Sequence, residues 1–235
     1  MNPTISRLAL RALVGQRRGL VLIALPVVLV LLAVVVRLLT GEPIGARGVL
    51  VEVGLAVVVP LVALLAANGV LGPEIDDGSV VYLLSTPLSR YVVATSKWVT
   101  AAGVAVVLGG GGLALAAWVG GVSGRWILAS AVAGAIGAVL YTALFTAMSA
   151  ATRHGMIAGL VYALILERAL GSLLSGVRYV SVQSFTRRIA EVVGGVDMPV
   201  DMGLTYAAVA GAVVLVAGVA FAGWRLANFQ LRGDE

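Results

Sequence analysis

The sequence predicts an all-α integral membrane protein. It has six transmembrane helices, an interfacial helix before the first, and a short cytosolic helix between the second and third. Three observations carry this. Of 235 residues, 60% are hydrophobic and 11% charged, whereas an average soluble domain is roughly 45–50% apolar and about 25% charged. Mean hydropathy is +1.07, so too little polar surface remains to cover a globule. The apolar residues also fall into six long runs, and a helix needs about 20 such residues to cross roughly 30 Å of hydrocarbon. The runs lack strand alternation and exceed the roughly 9–11 residues of a barrel strand. A soluble enzyme, a disordered tail and a fibrous repeat are excluded.

The runs are Gly19–Val36, closed by Arg37; Val53–Pro73, closed by Glu74; and Trp98–Gly124. Trp126–Thr152 follows, separated from the third only by Arg125 in a Gly/Ser turn. The fifth, Met156–Leu174, is apolar except for Glu167 and Arg168, and the sixth is Met202–Trp224. All six belong to a single transmembrane domain over residues 1–235.

Before the first run, residues 1–18 read as an amphipathic helix lying in the inner interface. Asn2-Pro3 supplies an N-cap and a Pro at the first helical position. Thr4, Arg7, Arg11, Gly15 and Arg18 share one face, and Ile5, Leu8, Ala9, Ala12 and Leu13 another. No small-residue cleavage site follows the first apolar run, so the segment is not expected to be a cleaved signal.

Orientation follows from the basic residues. With the N-terminus inside, the cytosolic segments hold Arg7, Arg11, Arg17, Arg18, Arg90, Lys97, Arg153, Arg225 and Arg232, and the two short outer loops hold Arg37, Arg47 and Arg125. That asymmetry fits the positive-inside rule with both termini cytosolic, in a multi-pass protein of the cell membrane. The longer fifth loop adds Arg178, Arg187 and Arg188 outside. The formal net charge of +5 therefore reports membrane orientation rather than nucleic-acid binding. Cysteine is absent, which removes disulfides, thiolate nucleophiles and cysteine metal sites.

The connector over residues 73–97 is the most informative stretch. Glu74, Asp76 and Asp77 form an acidic cluster, Gly78 permits a backbone break, and Ser79 is placed to cap a short helix over Val80–Leu84. The dipole at that helix N-terminus favours the nearby carboxylates. Thr86-Pro87 restarts the chain, and the third span begins around Ser89, with Arg90 and Lys97 near the inner surface. Val80, Val81, Tyr82, Leu83 and Leu84 are too apolar for a loop exposed to cytosol, so this helix must bury itself against the bilayer or another protein.

Glu74-x-Asp76-x-Gly78-Ser79, then Leu83-Leu84-Ser85-Thr86-Pro87-x-Ser89-Arg90 and Lys97, resembles the inner connector of ABC type-2 exporter permeases. The usual family form is an acidic pair, Gly-Thr, a Leu-Leu-Ser-x-Pro run, then Ser-Arg and a Lys. Here Asp replaces the second Glu and Ser replaces Thr. The motif covers about 25 residues. The resemblance implies a permease subunit whose connector is the coupling helix against a separate ATP-binding subunit, present in two copies. It also implies a second permease copy, identical or homologous, completing the substrate path. The residues implied in coupling are Glu74, Asp76, Asp77, Gly78, Ser79, Tyr82, Leu83, Leu84, Pro87, Ser89, Arg90 and Lys97. No catalytic residue or cofactor is expected in this chain, with ATP and Mg on the partner. The only Lys is followed by Trp98, so there is no P-loop. Gly109–Gly112 lies inside the third span and reads as a flexible or closely packed point.

Glu167 lies eleven residues after Met156, about 16 Å into the bilayer at 1.5 Å per residue. A charge at that depth usually faces the bundle interior or a watery cavity. Glu167 and Arg168 point about 100° apart and do not simply pair on one helix face. Two roles stand open for them: a place on the translocation path, or a structural bond to a broken helix at the outer end. The outer loop over residues 175–201 holds a candidate short helix, Ser184–Val193, with Phe185, Ile189 and Val192 on one side and Arg187→Glu191 at i,i+4. His154, the only His, makes no metal site alone. The rival expectation is a self-sufficient secondary transporter using Glu167 as a proton-linked carboxylate, with broken helices at matching places in two halves.

Overall fold

The computed structural model describes residues 17–76, 89–152, 154–170, 176, 179–198 and 200–228. Among these the structure is helical, without strands. The apolar runs propagate as helices because, in lipid, backbone groups must be satisfied within the segment. The interfacial helix expected at 1–18 lies outside the described residues apart from Arg17 and Arg18, which open the first helix.

Helix α1 is Arg17–Thr40, and a left-handed Gly41 (φ 69°) ends it. A continuous helical stretch follows: α2 (Pro43–Gly48), a wide π-helical segment (Val49–Val58) and α3 (Val59–Asp76). The next stretch is α4 (Arg90–Ala105), a π-helical turn (Val106–Gly110) and α5 (Gly111–Val119). Helix α6 is Gly124–Ala151. Then come α7 (Gly155–Val161) with a π-helical continuation (Tyr162–Leu170), α8 (Val182–Gly194) and α9 (Leu204–Ala227).

Five of these stretches are long and apolar enough to cross a membrane: Gly19–Thr40, Gly45–Leu71, Arg90–Val119, Gly124–Ala151 and Leu204–Ala227. The fifth predicted run is different. Its apolar helix is shorter, Gly155–Ile165. The turn between the third and fourth runs is also displaced: Gly120–Ser123 makes it, and Arg125 sits in the first turn of α6.

Helix α6 is the axis of the bundle, packing against α3, α4, α5, α7, α8 and α9. Tyr141 and Phe145 are fully buried in it and stack at 5.7 Å between ring centroids. Lipid tails are as apolar as Leu, so such helices associate through close contact of small residues rather than through the hydrophobic effect. The Gly109–Gly112 run is such a contact. A Cβ on Gly134 would meet the Gly110 Cα at 2.6 Å, and one on Gly112 would meet Pro26 Cβ at 2.5 Å. The run is thus closely packed, with α6 on one side and α1 on another.

The periphery is α1 and α9. Only 28% of the Gly19–Thr40 window and 17% of the Leu204–Ala227 window is buried. Leu31, Val28, Val209 and Val216 among others point outward, as lipid-facing side chains do. At the Arg125 end of the bundle, the Arg37 guanidinium donates to the Val119 carbonyl at 2.6 Å and lies over Gly121. Gly121 adopts φ 73°, and a Cβ there would also meet the Arg37 Cζ at 2.9 Å. Both the turn and the arginine therefore require glycine.

Helix α8 has a defined path along α6. Its first turn lies beside Tyr141, through their shared partner Glu167. Thr186 faces Gly137, and Gly194 abuts Ala129 and the Arg125 carbonyl. The two helices therefore run antiparallel. Sixteen residues of α6 separate Tyr141 from Arg125, so the start of α8 lies about 24 Å along the axis from the Arg125 end. Because α7 and its continuation climb from the Ala151 end to Glu167, the two pieces together run nearly the length of α6. The predicted helix Ser184–Val193 is thus present and slightly longer, with Phe185, Thr186 and Ala190 buried and Val192 and Val193 exposed. Its charge pairing also differs: Arg188 meets Glu191 at 2.8 Å, whereas Arg187 reaches Glu52 at 3.3 Å.

Candidate functional site

Two buried side chains carry formal charge among the described residues: Lys97 and Glu167. They mark two different places.

Glu167 sits at the junction between the two pieces. Its Oε2 accepts from the Tyr141 hydroxyl, and its Oε1 accepts from Ser181 Oγ (3.3 Å), the Gln183 backbone N–H (3.2 Å) and, more distantly, Tyr162 Oη (3.4 Å). Ser181 is the N-cap of α8, and its Oγ accepts from the Ser184 N–H at 3.2 Å. The first turn of any helix has N–H groups without intrahelical acceptors and carries the positive end of the macrodipole. A carboxylate placed there satisfies both. Hence Glu167 closes the gap between two half-helices and ties them to α6. Arg168 lies in the same π-helical segment, Tyr162–Leu170. π-helical turns inside longer helices occur frequently at functional sites.

Glu167 stands out in the sequence, but its partners do not. The signal for Tyr141 is a phenol hydroxyl within a long apolar run, where a buried O–H requires an acceptor. Ser181 and Gln183 carried no such signal, because nothing local tells which residues stand opposite Glu167.

The second place is the root of the connector. Lys97 is buried on α4, and its ammonium donates to the Val70 carbonyl on α3 at 2.9 Å. Helices α3 and α4 pack side by side, so this bond ties the helix entering the connector to the helix leaving it. Ser89 precedes α4 in an extended conformation, and its carbonyl accepts from the Val92 and Val93 N–H groups. Arg90 begins α4 and is half-buried. Tyr91 lies against Gly223 of α9. Glu74 and Asp76 fall in the last turn of α3. Asp77, Gly78, Ser79, Tyr82, Leu83, Leu84 and Pro87, with the predicted helix Val80–Leu84, lie outside the described residues.

The two places are not brought together. Lys97 lies toward the connector end, whereas Glu167 meets α6 at Tyr141, part-way along the bundle. No group of three or more His, Cys, Asp or Glu side chains suited to a metal ion occurs among the described residues. Compared with known proteins, the sequence matches no family model and no curated relative.

Proposed function

We propose that this chain is the membrane subunit of an ABC exporter, paired with a second permease copy and driven by two separate ATP-binding subunits. The observation that supports this best is the root of the connector. A short apolar segment with an acidic lead-in leaves α3 and returns in α4, and those two helices are held together by the Lys97–Val70 bond. A push on a segment so rooted moves two packed helices as one body. That is what coupling to an external motor requires, whereas a lone flexible loop would absorb the motion. The motif that the segment carries, Glu74 to Lys97, supports the same reading.

In this reading the chain crosses the cell membrane six times with both termini cytosolic. The fifth crossing is made in two pieces, α7 with its continuation and then α8, joined at Glu167. Mechanism is gating rather than covalent chemistry: the bundle shifts between states as the ATPases clamp and release. A self-sufficient secondary transporter would be expected to show matching broken helices in both halves. Here the stretches Pro43–Asp76 and Arg90–Val119 are helical without a break, and Glu167 is engaged by donors of its own chain.

The test is removal of the apolar docking surface. Leu83→Ser with Leu84→Ser removes side chains worth roughly 1.5–3 kcal/mol each if fully buried. Pull-down of the ATPase subunit with the purified variant, followed by ATP hydrolysis in lipid, should show weakened complex formation and loss of coupled turnover, with the spans still inserted. Normal binding and turnover in this variant would remove the connector from the coupling role.

A further inference from the structure

The Arg125 end of the bundle carries a hollow of about 550 Å³ between α2, the start of α6 and the turn after α8. Arg47, Ser123, Arg125, Trp126, Glu52 and Asp197 contribute to its wall. The Arg47 guanidinium lies 5.3 Å from the centre of the Trp126 ring, which is itself 9% exposed. Stacking fixes the plane of the guanidinium and leaves its edge to donate. The Arg47 Nε is shut off from solvent and meets no acceptor. Arg125 is exposed and, among the described residues, neither arginine is paired with a carboxylate. Of the two carboxylates in the wall, Glu52 already faces Arg187 at 3.3 Å, so only Asp197 opposes the two arginines.

We propose that this hollow binds the phosphate of a phospholipid headgroup, held between Arg47 and Arg125. Guanidinium groups match phosphate oxygens with directed, charge-assisted donors, and two of them outweigh one carboxylate. A lipid is the source because of position. The hollow lies where the apolar stretches Gly45–Leu71 and Gly124–Ala151 begin, at the level where headgroups sit and where Trp and Arg anchor a membrane protein. The inference stands apart from the ATPase reading and requires only that the long helices span a bilayer.

The test is native mass spectrometry of the full chain released from dodecyl maltoside micelles and titrated with dioleoyl-phosphatidylglycerol. One lipid should be retained more tightly than the rest. Arg47→Gln with Arg125→Gln should weaken that site by about tenfold or more, because two charge-assisted contacts are lost. Arg47→Lys with Arg125→Lys keeps the charges and should retain the lipid within a few-fold, which serves if the Gln variant fails to fold. Asp197→Asn removes the opposing charge and should tighten the site. Unchanged retention in the Gln variant, or in a folded Lys variant that binds no better than micelle background, overturns the site. Displacement of the lipid by an equal concentration of soluble glycerol phosphate overturns the lipid as its source.

Discussion

Tyr141 and Glu167, twenty-six residues apart in the chain, meet inside the bundle through the phenol hydroxyl donating to the carboxylate. One side chain thereby fixes three things: the central helix α6, the top of the α7 continuation, and the N-terminus of α8. A polar group so deep would be costly if exposed to lipid, roughly 2.5–3.5 kcal/mol for a carboxylate at mid-span on insertion scales. Here it faces donors instead.

Removing the acceptor should therefore cost more than removing the charge. Glu167→Gln keeps an oxygen for Ser181 or the Gln183 N–H and should destabilise by about 1–2 kcal/mol. Glu167→Leu leaves several buried donors without an acceptor, at about 1–3 kcal/mol each, and should lower stability by about 3 kcal/mol or more. Tyr141→Phe removes one donor and should fall near the Gln variant. Thermal unfolding in detergent measures all three, and a Leu variant as stable as the parent would refute the anchoring role.

The crossing of the two glycine backbones makes a sharper steric prediction. Gly134→Ala places a Cβ 2.6 Å from the Gly110 Cα, and neither side has a flexible side-chain end to yield. The helices must separate, with overpacking costs of typically about 1–3 kcal/mol exceeding the gain of roughly 1 kcal/mol in helix propensity. Gly103→Ala is the control, since nothing lies within 4 Å of its Cβ position. It should be neutral or slightly stabilising. Equal stability of the two variants would show that α4–α5 and α6 do not touch at Gly110.

Charge in the connector should act differently from its apolar residues. If the chain pairs with an ATP-binding subunit as proposed, reversal of Asp76 and Asp77 to Lys should slow association with that subunit more than it weakens the finished complex, because complementary charge mainly steers encounter. The effect should fade as ionic strength rises and the screening length falls below about 10 Å. Surface-plasmon measurement of on-rates at low and high salt tests this. A salt-independent loss of affinity would mean instead that these carboxylates make buried contacts.

Much of the architecture was legible because hydrocarbon imposes one rule on every residue it touches. Runs such as Gly19–Val36 and Trp126–Thr152 announce their helices by length and lack of charge alone. Glu167 was legible as an anomaly for the same reason. Its partners were not, since Ser181 and Gln183 come from the outer-loop segment, where Arg187, Arg188 and Glu191 give no sign that the short helix packs into the bundle. Only the packing of Thr186 on Gly137 and Gly194 on Ala129 reveals that this segment lies against α6. Helix α8 was legible as a helix, but its packing on α6 was not. Likewise the i,i+4 spacing of Arg187 and Glu191 suggested a local pair, but tertiary structure supplied Glu52 to Arg187 and left Glu191 to Arg188. A tertiary partner can displace a helix-surface pair worth only about 0.2–0.5 kcal/mol.

The path of α8 bears on how the protein is made. A segment carrying Gln183, Thr186, Arg187, Arg188 and Glu191 is too polar to insert into hydrocarbon as an independent unit. It must wait for a finished surface. That surface is α6, with Tyr141, Gly137 and Ala129 already in line, and the carboxylate that will receive its first turn arrives only with the α7 continuation. Assembly of this protein therefore has an order: the long apolar helices enter first as independent units, and α8 takes its place on α6 last, as an act of folding rather than of insertion.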